Sequence, residues 1–253
     1  MKFTKKTIIL GAIGLIFLIG VATGLPIFFY QKRNRLTITF IYRGAIMLEH
    51  NFKRIYIDPY VLLSAYDDRP ADAIFITHSH GDHLSIFDIN KIHKSSTMII
   101  CPSSANSYLL SYDPITVQPM EEGMYGKIPF QAFPMYTNNS IHPKENNWVG
   151  YILDFNGFTL FHVGDSDYIP EYAQLEGKID VLFLPIYDSY NMMGPTEVNQ
   201  TINIIKPRYM IPIHYLEPAL ETFMTDYAPF LTNTTILNLE LGESYTFTLS
   251  HET

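Results

Sequence analysis

The chain has 253 residues, 47% hydrophobic and 17% charged, a globular composition that excludes disorder, collagen and coiled coil. Its formal charge of -8 is unevenly spread: residues 1–35 hold six of the 17 basic residues and no acid, which leaves 11 basic against 25 acidic residues over 36–253, a net of -14 and a poor surface for nucleic acid. The single cysteine, Cys101, excludes an intrachain disulfide and a cysteine-only metal site, so any metal must use histidine and carboxylate.

From Thr7 to Tyr30 the chain carries no charge, between Lys5 and Lys6 on one side and Lys32, Arg33 and Arg35 on the other. About 20 apolar residues span a bilayer, so this stretch predicts a single-pass transmembrane helix within an anchor region of residues 1–35. A signal peptide cleaved near Ala22-Thr23-Gly24 is the alternative. Balanced basic flanks give the positive-inside rule little to act on; the expectation adopted is a cytoplasmic N-terminus and an extracytoplasmic domain.

Residues 36–253 read as one α/β domain with no Gly/Ser-rich linker. Alternating β-branched and aromatic residues predict strands at Leu36–Tyr42, Ala45–Glu49 and Arg54–Ile57, and a short apolar run predicts another at Ala73–Thr77. Helical spacing marks Ser103–Leu110. Strands at Trp148–Phe155 and Phe158–Val163 flank Asn156-Gly157, a dipeptide suited to a tight hairpin turn. Further strands are expected at Val181–Leu184, Tyr209–Ile213 and Ser244–Leu249, and helices at Pro195–Ile205 and Glu217–Tyr227.

The chemistry is concentrated in Thr77-His78-Ser79-His80-Gly81-Asp82-His83, directly after an apolar strand. Three imidazoles and a carboxylate within six residues would compete for protons in a plain loop, whereas a divalent cation uses their lone pairs and charge together.

This pattern resembles the metallo-β-lactamase-fold hydrolases over essentially all of residues 36–253. Ile55-Tyr56-Ile57-Asp58-Pro59, Gly164-Asp165-Ser166 and the run from Lys206 to Tyr215 are similar to the ascorbate-6-phosphate lactonase-like branch. The resemblance implies a four-layer αββα sandwich with a metal site along one edge. It implies that His78, His80 and His142 hold a first metal, that Asp82, His83 and His214 hold a second, and that Asp165 bridges them. Asp58 would orient the histidine loop, and His162, three residues before Asp165, could support that carboxylate; His50, His93 and His251 match no ligand position.

Seven nitrogen and oxygen ligands suit two zinc ions, with manganese or iron also fitting. The expected activity is that of a membrane-anchored binuclear hydrolase, in which a metal-bound hydroxide cleaves an ester, lactone or phosphodiester and Asp82 takes up or relays a proton. The alternatives are a phospholipase-D-like hydrolase of N-acylated phospholipids and a non-catalytic metal-stabilised binding protein. Lys144, Asn146, Tyr136–Asn139 and Tyr187–Met193, in loops beyond strand ends, are candidate contacts for a small-molecule or lipid substrate.

Overall fold

The computed structural model describes residues 34–188 and 191–249. The uncharged stretch Thr7–Tyr30, and the anchor expected there, lie outside them; among the described residues no helix is long and apolar enough to cross a membrane.

Two seven-stranded sheets form the domain. The first takes β1 (Arg35–Tyr42), β2 (Ala45–His50), β3 (Lys53–Ile57), β4 (Ala73–Phe75), β5 (Met98–Pro102) and β6 (Ile115–Val117) in spatial order, and the last strand, β14 (Ser244–Thr248), returns to pair with β1. The second takes β7 (Glu122–Tyr125), β8 (Ile128–Pro134), β9 (Val149–Phe155), β10 (Phe158–His162), β11 (Val181–Pro185), β12 (Tyr209–Ile213) and β13 (Thr235–Ile236), again in order. Hairpin turns need residues at positive φ, and the chain supplies them at Asn51-Phe52 (φ 49° and 62°) and Asn156-Gly157 (57° and 86°).

The strand period of two sends alternate residues to opposite faces, and here both faces are covered. Leu36, Ile38, Leu48, Phe75, Phe130, Tyr151 and Leu153 meet between the sheets, with the Phe75 ring 5.3 Å from Phe130 and 4.9 Å from Tyr151. The outer face of the first sheet, through Met47, Tyr56, Ile74 and Ile99, packs on Ile89 and Ile92 of α1 (Ile86–Ile92). A short helix, α2 (Asn106–Leu109), adds Leu109 to that layer, within a 3₁₀-flanked segment where a longer helix over Ser103–Leu110 is expected from the sequence. On the outer face of the second sheet, Phe161, Leu182, Leu184 and Met210 meet Val198, Ile202 and Ile205 of α3 (Pro195–Ile205) and Leu220 and Phe223 of α4 (Glu217–Asp226). The order of layers is therefore helix, sheet, sheet, helix, the expected α/β sandwich.

Strands β3, β4 and β5 run parallel, as do β10, β11 and β12, so each set sends its C-terminal loops to one edge. The sheets are tied together there: Val149 N–H donates to Thr77 O (3.2 Å), Tyr151 Oη–H to Ile76 O (2.8 Å) and His214 N–H to Arg43 O (3.0 Å). The edge that gathers the loops is also the edge with fixed spacing between sheets.

Candidate metal centre

The histidine loop is organised from below by Asp58, which follows β3 at φ 48° and is fully buried. Its Oδ1 accepts the Thr77 backbone N–H at 2.7 Å; its Oδ2 accepts the Thr77 hydroxyl at 2.6 Å and lies 2.7 Å from His83 Nδ1. Hydrogen bonding assigns the tautomers. A carboxylate only accepts, so Thr77 Oγ1 gives its proton to Asp58 and is left to accept from His78 Nδ1, 2.9 Å away. His78 and His83 then both donate through Nδ1 and direct Nε2 into the site, the arrangement that orients metal-binding imidazoles elsewhere. Asp58 is close enough to His78 and His83 to be grouped with them as a ligand, but its lone pairs already serve Thr77 and His83, so its role is to orient.

His78, His80 and His142 bring one ring nitrogen each within 4.8 Å of one another, and Asp82, His83 and His214 form a second such group. Between the groups lies Asp165. Its Oδ2 is 3.1 Å from His83 Nε2, 3.5 Å from both His142 Nε2 and His214 Nε2, and 3.9 Å from His78 Nε2. His80 Nδ1 is 3.1 Å from His78 Nε2, and Asp82 Oδ2 is 3.2 Å from His214 Nε2. The seven residues proposed as ligands from the sequence thus converge on one place.

Two glycines make room for them. A Cβ on Gly44 would stand 3.0 Å from the His83 ring, and Gly164, at φ 67°, turns the chain after β10 into Asp165; a Cβ there would collide with Met135 Sδ. His162 holds neighbouring backbone rather than the carboxylate: Nε2 lies 2.8 Å from Gly44 O, and Nδ1 accepts from Gly164 N–H at 3.2 Å.

Burial and charge set how firmly each of these groups holds a proton. Desolvation keeps the His78 and His80 imidazoles below their usual pKa, so their lone pairs are free at neutral pH. Burial also opposes charge on His83, yet the Asp165 and Asp58 carboxylates hold its pKa well above the ordinary value, and burial opposes charge on Asp165, yet His83 and His214 hold it well below. Asp82 is likewise kept ionised against its partial burial, chiefly by its hydrogen bond to His214. Both nitrogens of the buried His142 ring and Oδ1 of the buried Asp165 have no hydrogen-bond partner. Such orphans are costly in a folded interior, and a divalent ion would take up the one lone pair of the His142 ring and the Asp165 oxygen. The donor set therefore fits a metal.

Three neighbours are not evident from the motif. Trp148, the chain's one tryptophan, is buried with its ring centroid 4.9, 4.8 and 5.6 Å from those of His78, His80 and His142, and so walls off the first group from water. Its place directly after a polar loop is the only sequence signal. Arg43, in the β1–β2 turn, sets Nη1 2.6 Å from Asp82 Oδ2, and only the presence of a charge in a tight turn marks it. Thr77 reads from sequence as the end of a strand. Of the loop residues expected near a substrate, Lys144 pairs with Glu171 (2.9 Å) and stands over the Tyr136 ring (4.4 Å), and the Tyr187 ring is 5.8 Å from His214.

Residues 37–214 match the family model described as a β-lactamase superfamily domain. The chain is 31% identical over 192 residues to a UPF0173 metal-dependent hydrolase of Pyrococcus furiosus, covering 70% of this chain and 84% of that protein. It is 30% identical over 236 residues to one of Archaeoglobus fulgidus, covering 84% and 99%. Among solved structures it is similar in fold to Igni18, a metallo hydrolase of Ignicoccus hospitalis, with a TM-score of 0.73 over 85% of this chain and all of that one at 17% identity. The chain belongs to the UPF0173 metal-dependent hydrolases of the β-lactamase superfamily and is an enzyme.

Proposed function

We propose that residues 36–253 form a binuclear hydrolase domain of the ascorbate-6-phosphate lactonase-like kind, which opens a small ester, lactone or phosphodiester. His78, His80 and His142 would hold one divalent ion, Asp82, His83 and His214 the other, and Asp165 would lie between; the nitrogen-rich donor set favours zinc. The observation that carries this reading is the single Asp165 oxygen with four imidazole nitrogens within 3.9 Å, two from each group.

When bound, two such ions would supply an acidified water and a Lewis acid for the oxygen under attack. The chain's own residues do the rest. Asp58 and Thr77 fix the ring orientations of His83 and His78. Trp148 excludes water from one side, which strengthens every electrostatic interaction inside. Asp82, partly exposed at the rim, is placed to take the proton released on attack and return it to the leaving oxygen.

We further propose that Thr7–Tyr30 is a single-pass anchor with the domain on its extracytoplasmic side, a reading that rests on the uncharged stretch and its basic flanks in the sequence alone.

Turnover of simple phosphodiesters and lactones by zinc-loaded protein, against protein stripped by chelator, tests the activity. Binding is read independently by Trp148, whose fluorescence should change as the first ion enters. Loaded protein inert towards both classes would overturn the substrate reading, and tryptophan emission indifferent to zinc would overturn the first site. Alkaline extraction of membranes from cells making the full chain tests the anchor, since apolar burial resists both salt and alkali; release of the protein would overturn it.

A further inference from the structure

We infer that Arg43 and the second metal ion contend for one oxygen, Asp82 Oδ2, so that Arg43 makes the second ion the weaker of the two and the binding stepwise. The inference rests on the two-ion reading above and adds to it a residue that is not a ligand.

The geometry is specific. Asp82 Oδ2 is the oxygen that faces His214 Nε2, at 3.2 Å, and it is also the oxygen that accepts Arg43 Nη1, at 2.6 Å. An ion shared by Asp82, His83 and His214 would use that atom. A guanidinium hydrogen and a divalent ion cannot both occupy the inward lone pair, and two cations on one carboxylate repel across a few ångströms.

The Arg43 backbone cannot simply be elsewhere. It is fixed at φ 49° in the turn between β1 and β2, and its carbonyl accepts the His214 backbone N–H at 3.0 Å. The turn that sets His214 at the end of β12 therefore also delivers the guanidinium to Asp82. The side chain itself is 45% exposed, so it can move towards solvent when an ion takes its place.

Charge points the same way. Two divalent ions bring four positive charges against the ligand carboxylates of Asp82 and Asp165, and Arg43 adds a fifth. The first group, His78, His80 and His142, has no cation hydrogen-bonded to any of its three side chains among the described residues and shares Asp165. Filling that group first leaves the Arg43–Asp82 pair intact; filling the second requires breaking it. Arg43 is thus a positioning residue that sets metal stoichiometry at a given zinc concentration.

The test is calorimetric zinc titration of the full-length chain, with tryptophan fluorescence followed in parallel to identify the step at the first group. Three proteins are compared: wild type, Arg43→Asn and Arg43→Lys. Asparagine is at ease at positive φ and keeps the turn, while lysine keeps the charge. The expected result is two steps in wild type, a second step tightened on the order of tenfold or more in Arg43→Asn, and one that stays close to wild type in Arg43→Lys, with the fluorescence-reported step the same in all. A second step unchanged or weakened in Arg43→Asn would overturn the role given to Arg43 and leave two ions standing. A single ion in every protein would overturn the two-ion reading, and this inference with it.

Discussion

In the first sheet, three antiparallel ladders from β14 to β3 are followed by three parallel ladders from β3 to β6; in the second, three antiparallel ladders from β7 to β10 are followed by three parallel ladders from β10 to β13. Even small devices recur. Asp72, just before β4, accepts the Arg54 N–H of β3 at 2.9 Å, and Asp180, just before β11, accepts the Thr159 N–H of β10 at 2.9 Å. The two halves nonetheless supply the proposed metal centre differently. The first gives four donors from one loop after β4, whereas the second gives His142, Asp165 and His214 from three loops, after β8, β10 and β12. A contiguous loop can organise itself through local bonds such as His83 N–H to His80 O (3.0 Å). Donors from separate loops depend on the sheets being held at a fixed spacing, which the Val149–Thr77 and His214–Arg43 backbone bonds provide.

The sharpest way to break this comparison is to remove the contiguous donors. His78→Ala with His80→Ala takes two of three ligands from the first group, and the expected outcome is loss of that ion and of hydrolysis altogether. Metal analysis and turnover on the same sample check it; full activity in the double variant would show that the second half's donors suffice.

Next in size is Asp82→Ala, which leaves the first group's histidines in place. Loss of a proton-transfer group typically lowers a rate by about 10² to 10⁴. Because metal content also falls when a ligand goes, rates must be compared at matched occupancy. A parent rate at two ions per chain would remove Asp82 from the chemistry.

Stability separates the halves further. Asp58→Ala strips the partners from the Thr77 N–H and hydroxyl and from His83 Nδ1, all buried, and breaking a buried charged pair from one side costs about 3–5 kcal/mol. Urea denaturation should show that loss, and a change under about 1 kcal/mol would mean that the loop is not built on Asp58.

The same asymmetry decides what the sequence discloses. His78 to His83 is readable because its donors share one loop, and β1, β2, β3, β9, β10 and β11 because their alternation or apolar runs stand out. His142, Asp165 and His214 have no mutual spacing to read and are assigned only through family resemblance. Strand β8 hides behind Pro129 and Pro134, which read as breakers but lie at positions the sheet tolerates, beside the antiparallel turn and at the strand's end. Helix α1 is too short for its period to stand out and depends on the Ser85 cap, whose side chain accepts from the Asp88 N–H. Arg43 and Trp148 act through contacts across 39 residues or between loops, where no local pattern exists.

The smallest effect tests whether the recurring device is of equal worth in both halves. Asp72 accepts from the Arg54 N–H and is flanked by Lys94 at 2.8 Å and Lys53 at 3.1 Å, while Asp180 accepts from Thr159 and, among the described residues, pairs with one cation, Arg208, at 2.9 Å. Partial burial opposes charge on Asp72, but the Lys94 hydrogen bond, with the Arg54 N–H and Lys53, lowers its pKa below the usual carboxylate value. A folded-state pKa below the unfolded one means stability that is present above the unfolded value and lost as pH falls through the folded one. Asp72→Asn should therefore cost about 1–2 kcal/mol at neutral pH, and the gap between wild type and variant should close as acid protonates Asp72 in the parent. Urea midpoints measured from pH 7 down through the carboxylate range follow that gap. If it stays constant with pH, the ion pairs contribute nothing and Asp72 acts only as a backbone cap, as an uncharged acceptor would.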